Sequence, residues 1–220
     1  MTQLDFDRAR VNMITQQLRT WDVLDQRVLD AVASVPRERF VPERWRNLAF
    51  ADLEIPIGHD QVMMTPKVEG RLLQTLEIAP TDRILEIGTG TGYLTACLAR
   101  LGGSVVTVDI FGDFSESAAA RLEALGIHNV EYRTGDAARG WEEDGTFDVI
   151  AITGSLHQLE RGHLELLNLE GRMFVVVGEP PAMEARLITR HGEEDWAQED
   201  LFETDLPRLL NAPDRRGFQL

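Results

Sequence analysis

The stretch Arg83-Ile-Leu-Glu-Ile-Gly-Thr-Gly-Thr-Gly-Tyr93 constrains the fold more than any other part of this chain. A short apolar run ends in an acid, three glycines follow at alternate positions, and an amphipathic segment opens directly after them. Glycine costs conformational entropy wherever it is ordered, so three together need a backbone reason. Between a strand and a helix, such a turn lets backbone amides and the helix N-terminus approach a ligand closely. This is how a parallel sheet holds a nucleotide at its carboxyl edge.

The chain around this turn alternates. Residues 84–87 read as a buried strand, and Tyr93, Leu94, Cys97, Leu98 and Leu101 form one helix face closed by Gly102 and Gly103. Further strands are predicted over 105–109, 130–133, 147–153, 173–177 and 185–190, with a helix around 159–167. Another helix carries Phe114, Ala118, Leu122 and Leu125, and Asp113 with Glu116 suggests a capping box at its start. Strands alternating with helices imply an α/β fold, a doubly wound and mostly parallel Rossmann-like sheet. Upstream, Phe6, Ala9, Met13, Ile14 and Leu18, then Val28, Leu29 and Val32, fall at helical spacing, and Pro66 opens a helix over about 67–76. Residues 51–66 read as irregular. The expectation is one domain over 1–220, with a helical and loop extension over 1–76 and the core and C-terminal strands over 77–220.

The glycine spacing sets the ligand class. A dinucleotide loop reads G-x-G-x-x-G, but Gly88, Gly90 and Gly92 make G-x-G-x-G, and Tyr93 takes the position of the third dinucleotide glycine. Glu86, two residues before Gly88, would repel a pyrophosphate and could hold an ammonium group. S-adenosylmethionine offers an ammonium, a ribose and no phosphate, and E-x-G-x-G-x-G resembles the cofactor loop of class I methyltransferases. Thr89 lies inside that loop. Asp109, at the end of the second strand, stands where an acid meets ribose hydroxyls, though a strand-end aspartate could instead cap the next turn, and Ile110 could lie against adenine. Asp136, followed by Ala137, could accept from the adenine amino group; an ordinary Gly-Asp turn is the plain alternative.

Composition removes other classes. The net charge of −15 argues against a nucleic-acid backbone as the main partner. The acids from Glu193 to Asp205 read as a solvated strip that aids solubility. Cys97 is the only cysteine, which leaves no internal disulfide and no zinc spacing; it reads as buried filler. No apolar run is long enough to cross a bilayer, and the cytoplasm is the expected compartment. Trp45 and Trp141 read as packing, and His59 and His157 as loop histidines that could serve as bases for a phenol or amine acceptor.

Val35-Pro-Arg-Glu-Arg-Phe-Val-Pro-Glu43, Ile55-Pro-Ile-Gly-His-Asp-Gln61 and the glycine loop occur in the order found in the protein-L-isoaspartate O-methyltransferase family, and over about residues 10–190 the chain resembles it. Gly135-Asp136, Phe147-Asp-Val-Ile150, Gly171-Arg172 and Val177-Gly178 fit its later blocks. The resemblance implies an S-adenosylmethionine-dependent enzyme that esterifies the abnormal carboxylate of L-isoaspartyl residues and so begins protein repair. It departs where the family reads G-Q-T-I-S-x-P. Here Asp60-Gln-Val-Met-Met-Thr-Pro66 keeps Gln61 and Pro66 but puts Val62 for the threonine and Met64 for the serine thought to meet the substrate carboxylate. Gln61 and Thr65 remain as catalytic candidates. The partner is then an isoaspartyl protein or peptide, or another methyl acceptor; a non-catalytic binder of the same cofactor is the reading from another class.

Overall fold

The computed structural model describes residues 5–141 and 143–214. Seven strands form one sheet: β3 (Arg83–Ile87), β4 (Ser104–Asp109), β5 (Val130–Thr134), β6 (Phe147–Leu156), β7 (Leu167–Glu179), β8 (Ala182–Gly192) and β9 (Asp195–Thr204), in the order β5-β4-β3-β6-β7-β8-β9. β3 to β7 run parallel, and β8 and β9 add antiparallel. The chain leaves β3 in one direction towards β4 and β5, then returns to its other side with β6. That reversal opens a crevice at the carboxyl ends of β3 and β6, where ligands bind in open α/β sheets.

The two faces of the sheet are covered unequally. One carries α1 (Phe6–Met13), α2 (Gln26–Ser34), α3 (Pro66–Thr75) and α4 (Tyr93–Leu101), whose apolar sides share a core with Ile84, Val105, Val149 and Phe174. Asp5 and Asp25 cap α1 and α2, and Pro66 opens α3 where its missing N–H costs nothing. Among the described residues the other face has no long helix. Trp141, Leu166, Ala137 and Phe147 pack there from loops and strand starts. The helix expected over 159–167 is one turn, α6 (Arg161–Leu164), because its leucines insert into this thin layer and β7 already begins at Leu167.

Other expectations also change. Within the stretch read as irregular lies a small antiparallel hairpin of β1 (Ile55–Gly58) and β2 (Gln61–Met63). Helix α5 (Gly112–Glu123) has no side-chain cap. Asp113 sits in its first turn and accepts from His59 Nε2 at 2.9 Å instead of closing a capping box. The acidic strip is exposed as expected, and most of it rides on β9 and the turn before it. Charges along an edge strand oppose pairing with another sheet. Cys97 is fully buried, and burial raises its thiol far above the ordinary range.

Candidate active site

Glu86 ends the apolar part of β3 and is completely buried. Thr107 Oγ1 donates to its Oε2 at 2.6 Å, and Thr95 Oγ1 donates to the same oxygen. Thr89 Oγ1 lies 2.7 Å from Thr107 Oγ1 and extends the chain of hydroxyls. Oε1 has no partner among the described residues. A buried carboxylate oxygen without a donor is costly, so this atom implies a missing cation or proton. Burial pushes the carboxyl up to about 8 against the pull of the two hydroxyls, with Asp109 and Glu69 adding to the rise. An ammonium group against Oε1 would satisfy the oxygen and restore the charge.

The loop itself needs its glycines. Gly88 has φ +98°, and a Cβ there would stand 2.1 Å from Thr153 Oγ1, which donates to the carbonyls of Ile87 and Gly88. Gly92 has φ +84° and faces Ala118 of α5, where a Cβ would approach that methyl to 2.7 Å; it is a helix-packing position and lines no part of the cavity. Asp109 closes the loop from β4. Its Oδ2 accepts from Gly90 N–H and its Oδ1 from Phe111 N–H, each at 2.9 Å, while burial raises its carboxyl above the ordinary value.

A cavity open to solvent lies over these groups. Gly88, Gly90, Asp109, Ile110, Asp136 and Ala137 all line it. Asp136 is exposed and takes Ala138 N–H at 3.0 Å and Asn211 Nδ2 at 2.9 Å. A smaller space beside it, about 330 Å³, includes Glu86 and Thr89 and shares Ile57, Val62, Met64 and Thr153 with the first. The acid, ribose and adenine candidates thus surround connected space. Gln61 reaches the cavity wall, with its amide donating to the His59 carbonyl at 3.1 Å. Thr65 lies outside the wall, its hydroxyl buried and without a partner; Val62 and Met64 face the cavity in its place.

Three features take their roles only from the fold. Arg37, from the Val-Pro-Arg block, is buried, donates to the carbonyls of Ala49 at 2.8 Å and Met64 at 2.7 Å, and pairs with buried Glu69 of α3. Its guanidinium lies 4.6 Å from the Tyr93 ring. Burial raises the Glu69 carboxyl and Arg37 opposes that rise. The β1–β2 turn docks by His59, stacked on Phe111 at 4.0 Å and edge-on to Phe114. Lastly, residues 206–210 form a strap over the cavity. Ser155 of β6 ties it through its N–H to Pro207 O at 2.9 Å, its hydroxyl to Leu206 O at 2.8 Å, and its carbonyl to Leu209 N–H at 3.0 Å. Gly154 makes room: a Cβ there would meet Leu209 Cδ2 at 2.7 Å.

The comparisons with known proteins decide the family. The family described as "Protein-L-isoaspartate(D-aspartate) O-methyltransferase (PCMT)" matches residues 9–205. The chain belongs to the protein-L-isoaspartate O-methyltransferase family. It is 38% identical over 206 residues to Protein-L-isoaspartate O-methyltransferase 1 of Rhodopseudomonas palustris strain HaA2, covering 93% of this chain and 84% of that one. With the protein of that name from Klebsiella pneumoniae strain 342 it shares 39% over 185 residues, 84% of this chain and 88% of the relative. A Plasmodium falciparum protein described as a protein-L-isoaspartate O-methyltransferase, solved with S-adenosyl-L-homocysteine, superposes with a TM-score of 0.79 at 20% identity, over 94% of this chain and 99% of its own. That likeness fixes the fold, a Rossmann-like methyltransferase sheet with a helical N-terminal extension. Of the family's two N-terminal blocks, the one from Ile55 to Gln61 puts Ile57 and Gln61 on the cavity wall, and Arg37 of the other holds the carbonyl of Met64 behind it. Among the described residues no helix is long and apolar enough to cross a membrane.

Proposed function

We propose that this methyltransferase esterifies the free carboxylate of isoaspartyl residues in damaged proteins, in the cytoplasm, and that Glu86, Asp109 and Asp136 divide its cofactor between them. The observation that carries the cofactor assignment is the unpartnered, buried Oε1 of Glu86 beside the glycine loop. Glu86 would hold the ammonium, Asp109 the ribose and Asp136 the adenine, with Gly88 and Gly90 beneath and Ile110 and Ala137 flanking the base. S-adenosylmethionine, when bound, supplies a methyl group on a sulfonium that leaves as a neutral thioether.

The protein has little proton chemistry to do. A carboxylate acceptor has a pKa of about 4 and is already ionised at neutral pH, so no base is required. One oxygen–methyl bond forms, one sulfur–methyl bond breaks, and no proton moves. The acceleration then comes from alignment and water exclusion, which the strap and the β1–β2 hairpin supply by closing over the cavity. Neither His59 nor His157 is needed as a base.

The test is methylation of an isoaspartyl peptide with methyl-labelled S-adenosylmethionine, with the matching aspartyl peptide as control. Base-labile label released as methanol from the isoaspartyl peptide alone supports the assignment. No release, with S-adenosylhomocysteine still bound, rejects it. A different acceptor is the second reading, favoured by the apolar wall of Val62 and Met64; labelling of another acceptor, with isoaspartyl peptides untouched, would establish it.

A further inference from the structure

The acceptor reading leaves a carboxylate in need of a donor, and the hairpin side of the cavity provides few. Val62 and Met64 are apolar, the Gln61 amide already donates to the His59 carbonyl, and Thr65 does not reach the wall. Arg37 is committed to Ala49, Met64 and Glu69. The surroundings are acidic as well: Asp109 and Asp136 line the cavity, and Glu54 and Asp205 line the open cleft beside it. An anion entering here meets repulsion unless a cation offsets it.

One cation is present. Arg208, on the strap, is the only Lys or Arg among the described residues lining the cavity, and it also lines the adjoining cleft with Pro180, Met183 and Leu206. The strap's anchorage at Ser155 fixes its backbone on both sides. Its Nη1 donates to Nε2 of His157, its one hydrogen-bonding neighbour among the described residues. Its Nε is buried with no partner; the carboxylates of Glu179 and Asp214 lie against the His157 ring, at 3.2 Å from Nδ1 and 3.5 Å from Nε2, and among the described residues none forms an ion pair with the guanidinium itself. Arginine carries five donors in a planar fork suited to carboxylates. A half-buried guanidinium that spends one donor on a ring nitrogen and has no ion pair of its own, at the junction of cavity and cleft, is suited to a carboxylate.

We infer that Arg208 anchors the acceptor: it receives the free carboxylate of the isoaspartyl residue from the cleft and holds it at the cavity, in place of a hydroxyl from the segment that here carries Val62 and Met64. The inference rests on the carboxylate-acceptor reading above. A carboxylate has about four lone-pair sites, so hydrogen bonds from the fork leave an oxygen lone pair for the methyl group. His157 is a positioning residue that restrains the fork; its Nδ1 lies 3.2 Å from Glu179 Oε1.

The experiment removes the charge from each side in turn. An isoaspartyl peptide and the same peptide with that carboxylate amidated are titrated calorimetrically into protein saturated with S-adenosylhomocysteine, for the wild type, Arg208→Gln and Arg208→Lys. The wild type should prefer the carboxylate by about ten- to a hundredfold, the worth of a hydrogen bond to a charged group. Arg208→Gln should bind both peptides alike and Arg208→Lys should keep part of the preference, with KM for the peptide rising more than kcat falls. S-adenosylhomocysteine affinity and melting temperature should stay near wild type, and Arg208→Lys carries the test if the glutamine variant folds poorly. A full preference retained by Arg208→Gln overturns the assignment, as does a loss confined to S-adenosylhomocysteine affinity, which would mean that Arg208 serves the cofactor. A wild type that binds S-adenosylhomocysteine but ignores the carboxylate defeats the acceptor reading itself.

Discussion

The glycine-loop side of the cavity and the side facing the acceptor are held together differently. On the loop side the ammonium and ribose candidates belong to one strand–helix–strand unit, and Asp136 joins them from the end of the neighbouring β5. Thr95 and Thr107 hold Glu86, Gly90 and Phe111 hold Asp109, and Thr153 reaches the loop from β6. On the acceptor side the wall is gathered from remote segments. Met64 is fastened by Arg37, 27 residues away, and the strap hangs on Ser155, 51 residues before Leu206. The local side fixes what cofactor can bind. The assembled side can change its lining without disturbing that pocket, as Val62 and Met64 illustrate. Cofactor affinity and acceptor handling should therefore respond to different substitutions.

The largest effect should follow from breaking the assembled side at its fastener. Arg37→Met leaves Glu69 buried without its partner, and losing one member of a buried pair costs about 3–5 kcal/mol. Urea denaturation should show this loss, while the fraction still folded binds S-adenosylhomocysteine nearly as well as wild type. The double variant Arg37→Met, Glu69→Met should recover much of the stability, since an apolar pair leaves no orphaned charge. Equal losses in the single and double variants would show that the hydrogen bonds to Ala49 and Met64 carry the cost instead.

Glu86 tests the local side. With its carboxyl pushed up to about 8, it is mostly protonated at neutral pH in the cofactor-free protein. An ammonium against Oε1 favours the ionised form, so binding at pH 7 should release close to one proton, and affinity for S-adenosylhomocysteine should rise with pH until about 8. Calorimetry in buffers of different ionisation enthalpy reads this directly. The stability linkage has the opposite sign. The folded pKa lies above the unfolded one, so the contribution of Glu86 to the cofactor-free fold is complete below about pH 4.5 and is lost as pH rises towards 8. Glu86→Gln should abolish the proton release and weaken binding by about ten- to a hundredfold at pH 8. Unchanged proton release in that variant would place the ammonium elsewhere.

The same division explains what was legible in the sequence. Residues 83–109 announce strand, loop, helix and strand through apolar period and glycine, signals that act over a few residues, and the structure reproduces them nearly to the residue. The hairpin over Ile55–Met63 was hidden because its strands are very short and its turn uses His59 and Asp60 at φ +50° and +56° rather than glycine. The strap has no period at all; Leu206 and Leu209 are ordered by Ser155 and by the missing side chain of Gly154, which only the fold brings near. Arg37 was visible as part of a motif, yet its three partners lie 12 to 32 residues away. Thr107 is an exception on the local side: a hydroxyl in an apolar strand was a signal that Glu86 needed a donor.

A smaller effect separates strap from loop. Ser155→Ala removes the buried hydroxyl that donates to Leu206 O and should cost about 1 kcal/mol of stability. The backbone bonds to Pro207 and Leu209 survive it. Peptide KM should rise severalfold while equilibrium affinity for S-adenosylhomocysteine moves little. An equal fall in both would mean that the strap belongs mechanically to the cofactor side.

The smallest effect concerns the hairpin tip. His59 sits flat on Phe111 and edge-on to Phe114, and its hydrogen bond with Asp113 is largely exposed. Salt screens exposed pairs, so the stack carries most of the docking. His59→Ala should leave the melting temperature close to wild type and raise the dissociation rate of S-adenosylhomocysteine by about two- to fivefold, as expected for one lost aromatic contact. His59→Phe keeps the stack without the polar contact to Asp113 and should restore the slow rate at every salt concentration. If His59→Phe behaves like His59→Ala, the contact to Asp113 holds the tip as an ion pair, and the wild-type rate should then climb steeply with added salt. In either case the change is one of escape rate, because the tip closes over a pocket whose binding groups sit on the other side.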